Sequence, residues 1–200
     1  HGLTIFAVDA GAAGLRVRGF DTLDGRRAAH LELDGVRVGA DRVVGAVDAA
    51  WPLLAAALER GNAALVADAA GAMEALLALT AEHLRTRRQF GAPLAKFQAL
   101  QHRVADMAIA LEQARSMACA AAMALAENDA AQRTRIVSAA KALVGPMARQ
   151  AGLSAIQLHG AMGMTDECRI GHYAKRLMVI NTLFGDAAQH LQSFAAQPHR

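Results

Sequence analysis

The sequence predicts a mainly α fold, an antiparallel helical bundle preceded by a few β-strands. Three observations carry that prediction. The first forty-odd residues are short apolar or alternating runs broken by Gly11, Gly14, Gly19, Gly25 and Gly35, the pattern of strands and turns. Three later stretches place apolar residues at alternating spacings of three and four, the period of an α-helix. Those stripes are narrow and rich in alanine, so the helices can pack closely.

Taken in order, LTIFAVDA (residues 3–10) and AAHLELDGVRV (28–38) belong to three or four strands, too few for an independent core. A helical region is expected from Asp48, whose side chain is placed to cap a helix starting at Ala49 or Ala50, with Pro52 tolerated in the first turn. Leu65, Ala69, Ala72, Leu76, Leu79 and His83 form the first stripe. Leu100, Val104, Met107, Leu111, Ala114 and Ala118 form the second, and Ile136, Ala140, Leu143, Met147, Ala151, Ser154 and Leu158 the third. Short links at 87–96 and 128–133 make neighbouring helices nearly antiparallel. A shorter helical part follows at the C-terminus.

Composition narrows the function classes. The chain has 200 residues, 54% of them hydrophobic, enough for one domain with a core or one domain plus part of another. With a net charge of +3, no Lys/Arg block and 4% aromatic residues, it lacks the basic, stacking surface that nucleic acid requires. Cys119 and Cys168 lie far apart and outside any ligand-spaced set, which argues against a disulfide framework or a zinc site. Each is expected as a small buried apolar residue. The longest apolar run, 117–126, is shorter than the ~20 residues that span a bilayer. No membrane span and no secretory leader are expected, and the chain reads as cytoplasmic.

No Ser/His/Asp arrangement or metal-ligand cluster is legible, so no metal is expected. His83, on a helical stripe, reads as a hydrogen-bonded structural residue. Gly160 and Gly163 of HGAMGM do not follow a strand, so they mark a helix end rather than a dinucleotide fingerprint. In RTRRQFGAPLAKFQAL (85–100), three arginines complement a helix C-terminus while Gly91 and Pro93 stop it. Arg87 and Arg88 beside an aromatic residue also suit a phosphate-bearing cofactor. Residue chemistry alone leaves both readings open.

RRQFGAPLAKFQALQHRVADM (87–107), followed by AIQLHGAMGMTDECRIGHYAKRLMVINTLFGD (155–186), resembles the C-terminal half of the acyl-CoA dehydrogenases, the flavin enzymes of fatty-acid β-oxidation. The segment 3–38 resembles the end of that family's middle β-domain. The resemblance implies a β-domain remnant over 1–47 and the C-terminal helical domain over 48–200. It also implies FAD as cofactor, an acyl-CoA thioester as substrate, and electron-transfer flavoprotein as redox partner. Assembly is implied as a homo-oligomer, or as a hetero-oligomer with a homologous catalytic subunit. Arg87 matches a donor to the diphosphate of a neighbour's FAD, Phe90 an apolar wall and Gln98 a further FAD contact. Gln157, Gly160 and Ala161 match a Gln-x-x-Gly-Gly segment that cradles the adenosine part, with Ala161 replacing the second glycine. Asp186 stands at a flavin-bonding position often held by Thr.

The family's chemistry removes the proton α to a thioester carbonyl while hydride leaves the β-carbon, which requires a carboxylate base. The resemblance puts the usual base position at Phe184 of LFGDAA and an alternative position at Gly61. Neither residue accepts a proton. Glu59 and Asp186 are the nearest carboxylates, each two residues away in sequence; along a helix that offset rotates a side chain by ~200°. LFGDAAQHL is similar to small subunits of the pimeloyl-CoA dehydrogenase type, in which one chain lacks the base and pairs with a catalytic partner. Three readings follow: a dehydrogenase subunit with a displaced base, a non-catalytic subunit completing a partner's FAD site, or a flavin monooxygenase on the same fold.

Overall fold

A computed structural model describes residues 2–197. By contacts the chain divides into two compact units, 1–58 and 59–200. In the first, β1 (Ile5–Phe6) pairs antiparallel with β4 (Val43–Val44), and β2 (Leu15–Asp21) with β3 (Arg27–Leu33). Gly25, with φ +74, turns the β2–β3 hairpin. Val17, Phe20, Leu31 and Leu33 remain exposed on that hairpin, as expected for strands too few to enclose a core.

The long helix α1 runs from Trp51 to Thr86. Its expected cap does not form there. Asp48 adopts a left-handed φ of +58, its backbone N–H donates to Thr4 Oγ1, and the first helical bond runs from Leu54 N–H to Ala50 O. Pro52 does sit in the first turn, where its missing N–H costs nothing. By length and composition α1 passes for a membrane-spanning helix, but half of its most apolar window is buried inside the protein, as in a core helix.

In the second unit, α1 is followed by the hairpin of β5 (Arg88–Gln89) and β6 (Ala92–Pro93). Then come α2 (Gln98–Ala124), α3 (Ala130–His159), α4 (Arg169–Thr182) and α5 (Ala187–Ala195). Helix α3 is central, packing against α2, α4 and α5. Its N-terminus is fixed by Asp129, whose carboxylate accepts from the N–H groups of Ala131 and Gln132. It continues through Pro146, although an interior proline costs roughly 3 kcal/mol, because Val137, Ala140, Val144, Ala148, Ala151 and Ala155 are buried on either side of it.

The first two stripes hold in outline: Leu65, Ala69, Ala72 and Leu76 are buried, as are Met107, Leu111 and Ala114. The third holds in part, with Ala140, Ala151 and Leu158 buried. Leu143 is 44% exposed while Val144 is buried, because the core-facing line of α3 passes through Val137, Lys141, Val144 and Ala148. Cys119 is exposed rather than buried.

Candidate functional site

Two clusters mark opposite ends of the bundle. At one end, α1 stops at Thr86 before the Arg87–Gly91 segment, so Gly91 and Pro93 are not its terminators. Phe90 (φ +54) and Gly91 (φ +77) instead form the tip of the β5–β6 hairpin, the pair of positive φ values that suits a tight hairpin turn. This turn holds the Phe90 ring outward, 87% exposed, edge-to-face with Phe97 at 6.0 Å.

The C-terminal end of α1, which leads into the hairpin, is tied to the C-terminal end of α3 through two histidines. The rings of His83 and His159 stack with centroids 4.3 Å apart. His159 Nδ1 lies 2.8 Å from Ala155 O, which makes it the protonated nitrogen. Burial, the facing His159 and the nearby Arg87 guanidinium all hold His83 below the usual histidine range. Arg87 lies close enough to His83 to act on its charge, Gly160 follows His159 directly in sequence, and Gln98 begins α2 next to Phe97. Arg87, Gln98, Gln157, Gly160 and Ala161 are all exposed.

Gly160 has φ +62 and open space where a side chain would stand. At Gly163, a Cβ would approach Ile156 O to 2.9 Å. The backbone of this turn is therefore bare on one side and closely packed on the other. A bare backbone, an outward aromatic and an exposed guanidinium fit a flat, phosphate-bearing group such as FAD approaching from outside the chain.

The other cluster surrounds Phe184, in the turn between α4 and α5. Phe184 takes φ +54 and Gly185 φ +107, which turns three consecutive carbonyls inward. Lys141 Nζ donates to Leu183 O and to Gly185 O, each at 2.8 Å. His190 Nε2 donates to Phe184 O at 3.1 Å, and Ser138 Oγ lies 3.5 Å from its Nδ1. Burial lowers the Lys141 ammonium to about 8, opposed by Asp186. His190 is also pushed below its ordinary value by burial.

The Phe184 ring lies against Gly61 on α1: a Cβ there would stand 2.9 Å from Cε2 and 3.2 Å from Cδ2. The two positions at which the resemblance would place a base therefore face each other, and the aromatic ring occupies the space between them. The two remaining carboxylates are engaged. Glu59 accepts from Arg133 Nε and, at 2.5 Å, from Thr134 Oγ1. Asp186 caps α5 by accepting from Gln189 N–H at 2.9 Å.

Glu59 bonds the start of α3 and His83 stacks on its end, so α1 and α3 run parallel. At 1.5 Å per residue, Gly61 and Arg87 are roughly 40 Å apart along α1. One chain does not bring the two clusters together. Sequence reasoning missed Lys141 and His190; an isolated Lys in an otherwise apolar α3 stripe was the available signal.

Residues 49–197 match the family model described as acyl-CoA dehydrogenase, C-terminal domain. The chain is 33% identical over 179 residues to acyl-CoA dehydrogenase FadE27 of Mycobacterium tuberculosis, covering 86% of this chain and 47% of that protein. It is 31% identical over 166 residues to cyclohexane-1-carbonyl-CoA dehydrogenase of Geobacter metallireducens, covering 82% and 43%. Among solved structures, a variant of the Tcur3481-Tcur3483 steroid ACAD superposes with a TM-score of 0.83 at 29% identity, over 96% of this chain and 50% of that one. Butyryl-CoA dehydrogenase from Megasphaera elsdenii shares the fold, with a TM-score of 0.87 at 24% identity over 98% and 51%. The chain thus spans about half the length of the relatives it matches. With residues 49–197 of this chain matching the family's C-terminal domain and the chain superposing on a solved relative, the chain belongs to the acyl-CoA dehydrogenase family.

Proposed function

We propose that the full-length protein is an FAD-dependent subunit of an acyl-CoA dehydrogenase that completes a neighbouring chain's flavin site and does not itself abstract the α-proton. The observation that carries this reading is the contacting pair Gly61 and Phe184, with Glu59 and Asp186 both committed to structural bonds. A base displaced by two residues would need a free carboxylate aimed at the site. Glu59 is held by Arg133 and Thr134, and Asp186 by the α5 N-terminus.

FAD, when bound, supplies the acceptor for a hydride leaving the substrate. This chain's residues would hold it from the far end of the bundle. Arg87 offers a planar donor to a diphosphate, Phe90 an apolar face, Gln98 and Gln157 amide contacts, and Gly160 with Ala161 a bare backbone for close approach. Because these residues lie roughly 40 Å along α1 from Phe184, they serve a neighbour's flavin rather than one lying against Phe184 of the same chain. The substrate is an acyl-CoA thioester, and the likeness to the steroid ACAD and the cyclohexane-1-carbonyl-CoA enzyme favours ring-bearing acyl groups. The subtype is the base-less small subunit in a hetero-oligomer, and electrons leave to an electron-transfer flavoprotein.

Purification of the full-length protein alone and with any co-purifying homologous chain tests this, with flavin content and acyl-CoA-dependent bleaching as readouts. Bleaching only in the two-chain complex, with flavin lost in Arg87→Ala, supports the proposal. Brisk bleaching by the isolated protein contradicts it.

A further inference from the structure

We propose that Lys141, assisted by His190, is the positioning residue that sets the turn 183–186 and so places the Phe184 ring over Gly61. Three observations converge on it. Lys141 is 1% exposed and lies on the core-facing line of α3, a place where an apolar residue would otherwise pack. Its hydrogen bonds go to the two carbonyls that bracket Phe184 in sequence, Leu183 O and Gly185 O. His190 takes the carbonyl between them, Phe184 O.

A left-handed φ at a phenylalanine persists only where its surroundings over-determine it. Three inward carbonyls held by an ammonium and an imidazole supply that constraint. Without the ammonium, two part-buried carbonyls lose their donor, and the turn gains by rotating them toward water. That rotation would carry the Phe184 ring away from α1. The bundle itself does not depend on the turn, because its core cluster is formed by α1 to α4.

The charged and titratable groups facing Lys141 are Asp186, at the start of α5, and His190, on α5; the hydroxyl of Ser138 on α3 faces His190. Asp186 favours the ammonium and burial opposes it more strongly, so Lys141 titrates about 8. Above that pH the neutral amine keeps two donors for the two carbonyls, and the cost of burying a charge is removed. Because the unfolded chain keeps its lysine protonated up to the ordinary value of 10.5, stability of the fold rises with pH between about 8 and 10.5, while the turn passes from charged to neutral donors.

The inference concerns the turn that carries the usual base position, and it does not require the flavin reading. The test is ¹⁹F resonance spectroscopy of the full-length protein labelled with fluorophenylalanine, with the Phe184 signal assigned by Phe184→Leu. In the wild type that signal shifts with a midpoint near pH 8. In Lys141→Met the shift with pH disappears and the signal moves to the position of a solvent-exposed ring, while far-UV helicity is retained. A folded Lys141→Met protein with the wild-type Phe184 signal overturns the proposal. Should Lys141→Met fail to fold, His190→Gln decides: a Phe184 signal displaced from its wild-type position supports the proposal, and a folded His190→Gln protein with the wild-type Phe184 signal overturns it. Cofactor and substrate are absent from the measurement, so its failure is separable from failure of the proposed function.

Discussion

A Cβ placed on Gly61 would stand 2.9 Å from Cε2 of Phe184, so a single ring fills the space into which any side chain at position 61 would project. Overfilling a packed site costs roughly 1–3 kcal/mol, whereas replacing a mid-helix glycine by alanine gains about 1 kcal/mol. Gly61→Ala is therefore expected to stabilise a Phe184→Ala background by at least about 1 kcal/mol more than it stabilises the wild type. Denaturant unfolding of the four proteins measures this. Equal effects in both backgrounds would mean that the two residues do not share the space.

Glu59 binds Arg133 and Thr134 where α1 meets α3. Breaking a buried pair leaves an uncompensated charge, at a cost of about 3–5 kcal/mol; Arg133 also donates to Glu127 O, which softens the loss. Glu59→Gln should destabilise by about 2–3 kcal/mol in urea unfolding, without changing acyl-CoA oxidation by the complex. A loss below about 0.5 kcal/mol, within the range of surface substitutions, would remove the structural role assigned to it.

His83 and His190 both have folded-state values held below 6.5. A histidine kept neutral by the fold binds fewer protons than the unfolded chain, so stability is lost as pH falls from 6.5 toward the depressed folded value. The melting temperature should accordingly drop on acidification below about pH 6.5. His83→Phe, which keeps a ring against His159 and cannot be protonated, should flatten that dependence. An unchanged pH profile in His83→Phe would place the acid sensitivity elsewhere.

Much of the bundle was legible because helix periodicity depends on local spacing, and the stripes through Leu65, Leu76, Met107 and Leu111 are buried as expected. What escaped depended on contacts distant in sequence. Lys141 is a buried lysine of α3 whose partners are 42 and 44 residues away. The segment after Arg87 was read as a loop because a hairpin of two-residue strands has no periodicity to show. Asp48 has the chemistry of a cap, but Thr4 draws its backbone into a left-handed turn. At the site, Phe184 and Gly61 were each legible as a missing base, whereas their mutual contact was not.

The most direct measurement concerns Phe184. The full-length protein reconstituted with FAD should show negligible acyl-CoA-dependent flavin bleaching on its own. Phe184→Glu should raise that rate by about 10²–10⁴-fold, the typical contribution of a positioned general base, with some loss of stability from the half-buried carboxylate. Brisk bleaching by the unpartnered wild type, abolished in Glu59→Gln or Asp186→Asn, would show that the base is displaced rather than lost and would contradict the assignment of Phe184 as the mark of a non-catalytic site.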